Sequence, residues 1–217
     1  MHPRVQITLI GLSASALILA VAAVVAFAVR PAVRDDDGSD GSSSKSPFQG
    51  SLMPSGVRAP DFALTDESGD RIAMREFRGR PVIVAFAYTT CEDTCPIEIQ
   101  QVRGALDRLA DDGYEVPAIA VAVDPPRDTE GSARRFLAEQ RVFGRVRFVL
   151  GSRRDLAPVW KGFAIQPQGD SQEHQARVTV VDAGGYQRVG FFMDYLTPES
   201  LAHDVKVLLE EAEIEPS

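Results

Sequence analysis

Two apolar segments constrain the fold of this chain most strongly. Residues 81–88, PVIVAFAY, and residues 117–124, PAIAVAVD, contain almost no polar side chains. Short apolar runs without alternating polar residues are typical of β-strands that are buried on both faces. Between the two runs, Val102, Leu106 and Leu109 have the i, i+4, i+7 spacing of a helix that packs on a sheet. Two inner strands joined through a helix predict a parallel crossover connection, which is right-handed in nearly all proteins.

The flanking segments extend this α/β pattern. The polar sequence DESGD separates two short strand-like segments, 62–65 and 71–73, and its Gly69 indicates a hairpin turn. The other predicted elements are a helix over 131–140, a strand over 147–150, a helix that begins at the capping box of Ser152 and Asp155, two strands on either side of 182–185, and a helix from Pro198 to about Glu211. The predicted order, βββαβαβαββα, is that of an α/β sandwich of the thioredoxin type with an added N-terminal β-hairpin.

The N-terminal part of the chain predicts export or membrane anchoring. After a short tail, residues 1–4, the segment 5–29 carries no charged residue. A helix of this length would span ~37 Å, enough to cross a hydrocarbon core of ~30 Å. We interpret residues 5–29 as one transmembrane helix, while Ala26-Phe27-Ala28 also fits the cleavage site of a signal segment. With the N-terminus inside, both interpretations export the rest of the chain. The anchored one predicts a single-pass cell-membrane protein with an extracytoplasmic C-terminal domain.

The remaining boundaries follow from composition and charge. Residues 30–57 are rich in Ser, Gly and Asp without strand or helix periodicity, which predicts a flexible linker. The folded domain is then expected over residues 58–212, followed by a C-terminal tail, 213–217. The net charge of −8 argues against nucleic-acid binding, for which a basic patch would be expected.

The two cysteines of the chain lie in the sequence TTCEDTCPIEI, where the first apolar strand is expected to give way to a helix. Free backbone N–H groups and the helix dipole at such a junction favour the thiolate form of Cys91 and Cys95. At i, i+4 spacing their Cα atoms would lie ~6 Å apart, which suits a disulfide or two ligands of one metal ion. A purely structural disulfide is disfavoured because so short a loop removes little unfolded-chain entropy. Two interpretations of Cys91 and Cys95 remain: a redox pair and a metal site.

His174 is the candidate third ligand of such a metal site. It lies just before the predicted strand 177–181, and in this fold that position faces the helix entry that carries the cysteines. Two thiolates and one imidazole form a soft set that suits copper(I), whereas structural zinc needs a fourth protein ligand. The predicted metal ligands are therefore Cys91, Cys95 and His174, and the predicted cofactor is a copper ion. The same residues could instead bind copper(II) together with a further ligand.

These motifs resemble those of the Sco/SenC family, membrane-anchored thioredoxin-like copper proteins that help to assemble the copper centre of cytochrome c oxidase. The Cys-x-x-x-Cys-Pro motif of that family falls on residues 91–96, and its Asp-Pro-x-Arg-Asp-Thr motif falls on residues 124–129. Its distant histidine ligand falls on His174. The resemblance also includes the segments APDFALTDESGDRI, FRGRPVIVAFAY and HQARVTVVDAGG.

The resemblance implies two functions. In the first, the protein is a non-enzymatic metallochaperone that passes copper to the copper-receiving subunit of cytochrome c oxidase at the same membrane. In the second, it is a thiol–disulfide reductase, in which Cys91 attacks, Cys95 resolves and the cysteines of the oxidase are kept reduced. Copper-donor proteins or thiol–disulfide partners would then be further partners. A peroxidase, a third function found on this fold, fits poorly because Pro96 follows the second cysteine.

Overall fold

The computed structural model describes residues 46–167 and 176–214. It confirms the predicted order of strands and helices and adds one short strand in front. The elements in chain order are β1 (Ser51–Leu52), β2 (Ala63–Thr65), β3 (Arg71–Ala73), β4 (Val82–Ala87), α1 (Thr94–Asp111), β5 (Ala118–Ala122), α2 (Glu130–Glu139), β6 (Val146–Val149), α3 (Arg153–Gly162), β7 (Arg177–Val181), β8 (Gln187–Phe192) and α4 (Pro198–Ile214). Two 3-10 turns lie at Met74–Phe77 and Met193–Tyr195.

A six-stranded sheet forms the centre of the domain, with the strand order β1-β8-β7-β4-β5-β6. Strands β4, β5 and β6 are parallel, so the predicted parallel pairing through α1 is confirmed. Strands β7, β8 and β1 continue the sheet in antiparallel fashion. Every residue of β4 and β5 is buried. Burial on both faces explains why these two strands are apolar throughout rather than alternating.

The helices fix the two central strands at the end where the cysteines follow. In α3, the Nε1–H of Trp160 donates to the carbonyl of Ala122, at the end of β5, over 2.9 Å. The ring of Phe163, just after α3, packs edge-on against Phe86 of β4 with 5.2 Å between ring centroids. Helices α1 and α4 touch through Gly104, where an added Cβ would lie 2.7 Å from the ring of Pro198. The carboxyl ends of β4 and β5 are therefore packed against α3 and the residue that follows it.

Strands β2 and β3 form the predicted hairpin, with Gly69 at φ +83° in its turn. The buried carboxylate of Asp66 accepts hydrogen bonds from the N–H groups of Ser68 and Asp70, over 2.9 and 3.0 Å. Its second oxygen pairs with Arg147 Nε at 2.7 Å, which ties the turn to β6. The conformational freedom of glycine and the acceptors of Asp66 together specify this turn.

The folded domain begins earlier than the sequence predicted. Residues 46–57 fall within the predicted flexible linker, yet β1 pairs with β8 and the segment belongs to the compact unit that starts at Ser46. The N–H groups of Gln49 and Gly50 donate to Asp204 of α4, each over 2.8 Å. A two-residue strand is too short to show periodicity, and its Ser- and Gly-rich surroundings resemble a linker in composition.

Of the predicted segments outside the folded domain, the structure describes part of the C-terminal tail but not the transmembrane segment. Helix α4 continues to Ile214, two residues into the predicted tail. The predicted transmembrane segment, residues 5–29, and residues 30–45 of the predicted linker lie outside the described residues. Within residues 46–167 and 176–214, no helix is both long enough and apolar enough to cross a bilayer.

Replacing Asp204 with alanine is expected to destabilise the domain by about 1–3 kcal/mol, because two backbone N–H groups lose their buried acceptor. The side chain of Asp204 is fully buried, so water cannot take its place without rearrangement. Urea unfolding measures the loss, and amide exchange at Gln49 and Gly50 should accelerate. Asp194→Ala, at an exposed position, is the control and should change stability by less than about 0.5 kcal/mol. Unchanged exchange at Gln49 in Asp204→Ala would contradict the prediction.

Candidate metal centre

The two cysteines lie at the junction of β4 and α1, as the sequence predicted. Strand β4 ends at Ala87, Cys91 lies in the following loop, and Cys95 is the second residue of α1. The N-cap residue Asp93 makes no side-chain hydrogen bond to the first helical turn, so its carboxylate does not compete with the Cys91 sulfur for the N–H of Cys95. The two cysteines are not joined by a disulfide. Cys91 is partly exposed, whereas Cys95 is buried.

The sulfur of Cys91 is surrounded by hydrogen-bond donors. The N–H of Cys95 donates to Cys91 Sγ over 3.2 Å, and the N–H of Asp93 also points to it. Side-chain interactions with the thiol of Cys95 and the hydroxyl of Tyr88 also lower the pKa of Cys91. Such donors stabilise a negative charge, so they favour the thiolate form of Cys91.

The two sulfurs share one proton unequally. The hydrogen bond from Cys95 is the main cause that lowers the pKa of Cys91 to about 5, against the opposing effect of burial. The same hydrogen bond, followed by burial, raises the pKa of Cys95 far above its usual range. At neutral pH the site therefore holds an accessible thiolate at Cys91 and a buried thiol at Cys95.

Tyr88 is a member of the site that the sequence did not predict. Burial and the hydrogen bond to Cys91 raise the pKa of its phenol well above the ordinary value, so the hydroxyl keeps its proton and remains a donor. Its backbone also lies within hydrogen-bonding reach of the Cys95 sulfur. The only sequence signal was a hydroxyl-bearing aromatic residue three positions before the first cysteine, at the end of an apolar strand.

The Asp-Pro-Pro-Arg-Asp-Thr segment lies beside the cysteine loop. The carboxylate of Asp128 accepts from the N–H of Thr89 over 2.8 Å and from the N–H of Asp124 over 3.0 Å. Arg127 forms an ion pair with Asp124 through its Nε. Burial raises the pKa of Asp128 to about 6, so its carboxyl is ionised at neutral pH. The backbone carbonyl of Asp124 accepts from the N–H groups of Arg127 and Asp128, and its carboxylate pairs with Arg127. Asp128, for which the sequence suggested no role, makes the contact with the cysteine loop.

Glu98 is a second unpredicted acid near the sulfurs. It lies on α1 one turn after Cys95 and is 0% exposed. Neither of its carboxyl oxygens makes a hydrogen bond of normal length within the described part of the chain. Burial raises its pKa to about 8, partly offset by the nearby backbone of Phe86, and the charge on Cys91 adds to the rise. Glu98 is therefore mainly a neutral acid at pH 7.

His174, the predicted third ligand, lies outside the described residues. Strand β7, which follows it, is antiparallel to β4, with Val84 opposite Thr179. The start of β7 therefore lies at the end of the sheet where β4 leads to Cys91. Among residues 46–167 and 176–214, no group of three or more His, Cys, Asp and Glu side chains is arranged to hold a metal ion. The assignment of His174 as a ligand stays a prediction.

The fold and the site define a class: a thioredoxin-like protein with an unequal thiolate–thiol pair at a strand–helix junction. Residues 54–210 match the family model described as SCO1/SenC. This chain therefore belongs to the SCO1/SenC family. The resemblance drawn from the cysteine and Asp-Pro-x-Arg-Asp-Thr motifs is confirmed.

Individual relatives show the same similarity. Protein SenC of Rhodobacter capsulatus is 27% identical over 161 residues, which cover 69% of each chain. The solved structure of Bradyrhizobium japonicum ScoI with copper bound has a TM-score of 0.60 and 26% identity, and the match covers 70% of this chain and 99% of that one. BsSco, described as a member of the Sco family of cytochrome c oxidase assembly proteins with a disulfide switch, has a TM-score of 0.66 at 19% identity, covering 75% and 98%. These structures confirm the predicted thioredoxin-type fold.

Proposed function

We propose that this protein is a copper metallochaperone that delivers copper to the copper-receiving subunit of cytochrome c oxidase. Residues 5–29 would anchor it in the cell membrane, with the folded domain on the extracytoplasmic side. The observation that carries the proposal is the pair of hydrogen-bonded sulfurs, in which Cys91 is stabilised as an accessible thiolate. Thiolates are the ligands that copper(I) prefers. The copper-bound ScoI structure and the described role of BsSco in oxidase assembly support the same function.

The residues of the site fit copper as a cargo. The two sulfurs already hold one proton between them, and copper(I) would replace that proton as the shared positive charge. Loading would then release about one proton at neutral pH, from Cys95, because Cys91 is already ionised. The partial exposure of Cys91 leaves one sulfur open to an incoming ligand of the donor or the recipient. Transfer by ligand exchange needs such an opening.

His174 is the third ligand in this proposal, and its replacement tests it. His174→Ala is expected to abolish tight copper(I) binding, because two sulfurs alone leave the ion one ligand short, while the Cys91–Cys95 disulfide should still form. Copper(I) titration of the full-length protein against a competing chelator measures the affinity. His203→Ala is the matched control, since this ring lies on α4 and pairs with Asp204. Full affinity in His174→Ala would reject the three-ligand site.

A second function, thiol–disulfide reduction, is favoured by the unequal pKa values of the two cysteines. Cys91 can attack a partner disulfide as a thiolate, forming a mixed disulfide and releasing one partner thiolate. Cys95, once deprotonated, would attack Cys91, releasing the second partner thiol and leaving an oxidised Cys91–Cys95 pair. Turnover of a protein disulfide by the metal-free protein, together with the reduction potential of the pair, discriminates this function from copper delivery.

A further inference from the structure

We propose that the copper recipient docks on the end of the domain around Cys91, and that it presents apolar side chains and a carboxylate to this end. The docking face consists of Ile97, Arg177, Phe192 and Tyr195. The inference rests on the proposed function in taking the copper-receiving domain of cytochrome c oxidase as the partner. It adds where that domain binds and which surface chemistry binds it.

Exposed apolar side chains are concentrated at the cysteine end of the sheet. Within residues 46–167 and 176–214, five large apolar side chains are at least 39% exposed: Leu52, Ile97, Phe143, Phe192 and Tyr195. Ile97 lies in the first turn of α1, two residues after Cys95. Phe192 ends β8 directly opposite Arg177, the first residue of β7. Because β7 begins at the end of the sheet where β4 leads to Cys91, Phe192 lies at that end too.

Phe192 and Tyr195 form an aromatic pair that is fixed before any partner binds. Tyr195 lies in the 3-10 turn directly after β8, and the two rings meet edge-on with 6.1 Å between their centroids. The hydroxyl of Tyr195 shares a hydrogen bond of 3.0 Å with Ser51 Oγ of β1. Aromatic side chains are enriched in protein interfaces, and a side chain that is already fixed loses little entropy on binding. The exposed pair therefore suits a protein partner.

The docking face is close enough to Cys91 for one partner to cover both. Neighbouring strands are ~4.8 Å apart, so the ends of β4 and β8, which are separated by β7, lie ~10 Å apart. A standard protein interface buries about 800 Å² on each partner, which corresponds to a patch ~30 Å across. A recipient that takes copper from the partly exposed Cys91 sulfur therefore also covers the ends of β7 and β8.

Arg177 gives the docking face a cation without a counter-ion. Its half-buried guanidinium donates to the backbone carbonyl of Phe163, and no carboxylate pairs with it in the part of the chain that the structure describes. A partly desolvated guanidinium binds a carboxylate strongly, because the two planar groups can form paired hydrogen bonds. The complementary partner surface therefore carries a carboxylate opposite Arg177 and apolar side chains opposite Phe192 and Ile97.

The loop between the two cysteines carries the opposite charge. Glu92 and Asp93 are exposed, and neither forms an ion pair with another described residue. A recipient is therefore expected to place basic or neutral side chains over this loop and its carboxylate over Arg177. Charges of both signs near one sulfur favour a single orientation of the bound partner.

The test measures the binding of the metal-free, full-length protein to the soluble copper-binding domain of the oxidase subunit from the same organism, by titration calorimetry in detergent. Ile97→Ser and Phe192→Ser should each weaken binding about tenfold, because each removes apolar surface from the interface. Their copper(I) affinities should equal that of the unaltered protein, since neither residue is a proposed ligand. Arg177→Gln should also weaken binding, and Arg177→Lys should weaken it less because lysine keeps the charge.

The matched controls are Phe143→Ser and Leu52→Ser. Phe143 is 53% exposed but lies just before β6, at the opposite end of the parallel strands from Cys91. Leu52 is 56% exposed on the outer strand β1. Both variants should bind the oxidase domain within about twofold of the unaltered protein. If Phe192→Ser does not fold, Tyr195→Ser tests the same aromatic pair and should weaken binding to a similar extent.

Three results would overturn the inference. The first is equal weakening in the docking-face variants and the controls, and the second is no weakening in Ile97→Ser and Phe192→Ser. The third is sedimentation data in which the unaltered protein dimerises and Phe192→Ser is monomeric, because the face would then bind a second copy of this chain.

Copper(I) titration of the unaltered protein separates this inference from the proposed function. If the protein binds no copper but the oxidase domain still binds through the docking face, only the metallochaperone proposal fails. If copper binds tightly and the oxidase domain does not bind, or binds the docking-face variants equally well, only the inference fails.

Discussion

Replacing Cys91 or Cys95 with serine is expected to weaken copper(I) binding by a factor of several hundred or more. Structural zinc sites with four ligands bind with about 10–16 kcal/mol, or roughly 2.5–4 kcal/mol per ligand. Loss of one thiolate then corresponds to about 10²–10³ in affinity. Serine adds to this loss because its hydroxyl is a hard donor that stays protonated at neutral pH. Neither variant leaves the copper ion with two sulfurs.

The measurement is competition for copper(I) between the full-length variant and a chelator of known affinity. Thr90→Ala is the control, because Thr90 is exposed beside Cys91 and carries no sulfur. It should bind copper as the unaltered protein does. Full affinity in either serine variant would place the copper elsewhere and reject the two-sulfur site.

Replacing Glu98 with glutamine is expected to remove a pH-dependent loss of the free energy of unfolding. This loss amounts to roughly 5 kcal/mol over the interval in which Glu98 titrates. The pKa of Glu98 is raised by burial from 4.5 to about 8 in the folded state. A raised pKa contributes stability that is full below pH 4.5 and is lost as pH rises to about 8, because over that interval the unfolded state releases a proton that the folded state keeps. The size follows from about 1.4 kcal/mol per pH unit over that interval. Glutamine cannot ionise, so its variant lacks this loss.

The difference between the two proteins isolates Glu98. The pKa of Cys91 is lowered to about 5, so its ionisation stabilises the fold as pH rises from 5 towards 9 and opposes the effect of Glu98 in the unaltered protein. Urea unfolding of both proteins at pH 5, 6.5 and 8 gives the difference at each pH. Ile99→Val, buried on the same helix, is the control and should lower stability by about 0.5–1.5 kcal/mol at every pH. A difference for Glu98→Gln that does not vary with pH would contradict the prediction.

Sequence analysis predicted the elements in which the order of residue types directly reflects burial or turn geometry. Strands β4 and β5 are apolar throughout because both faces are covered, and Gly69 marked the hairpin because the turn needs a positive φ. The segment before residue 58 was placed outside the domain. Its order comes from Asp204, more than 150 positions away in the sequence, which accepts from Gln49 and Gly50. A contact of that kind leaves no periodic trace in the sequence.

The supporting residues of the site escaped sequence analysis for the same reason. On α1, Ile97 is 47% exposed while the neighbouring Glu98 is fully buried, the reverse of what polarity alone indicates. Asp128 and Tyr88 have ordinary sequence surroundings, and their roles depend on how the ends of β4 and β5 meet. The cysteines could be predicted because their spacing and their place at a strand–helix junction are themselves local.

The early start of the folded domain has a consequence for the proposed membrane-anchored protein. If the linker were a flexible chain, one of 28 residues, 30–57, would have a root-mean-square reach of ~26–32 Å, and one of 16 residues, 30–45, would have a reach of ~20–24 Å. The volume open to the cysteine pair scales with the cube of that reach, so it would be smaller by a factor of about two. The local concentration of a membrane-bound recipient would be higher by the same factor. In the proposed copper delivery, the contacts of Asp204 with Gln49 and Gly50 would therefore make encounters with the recipient more frequent.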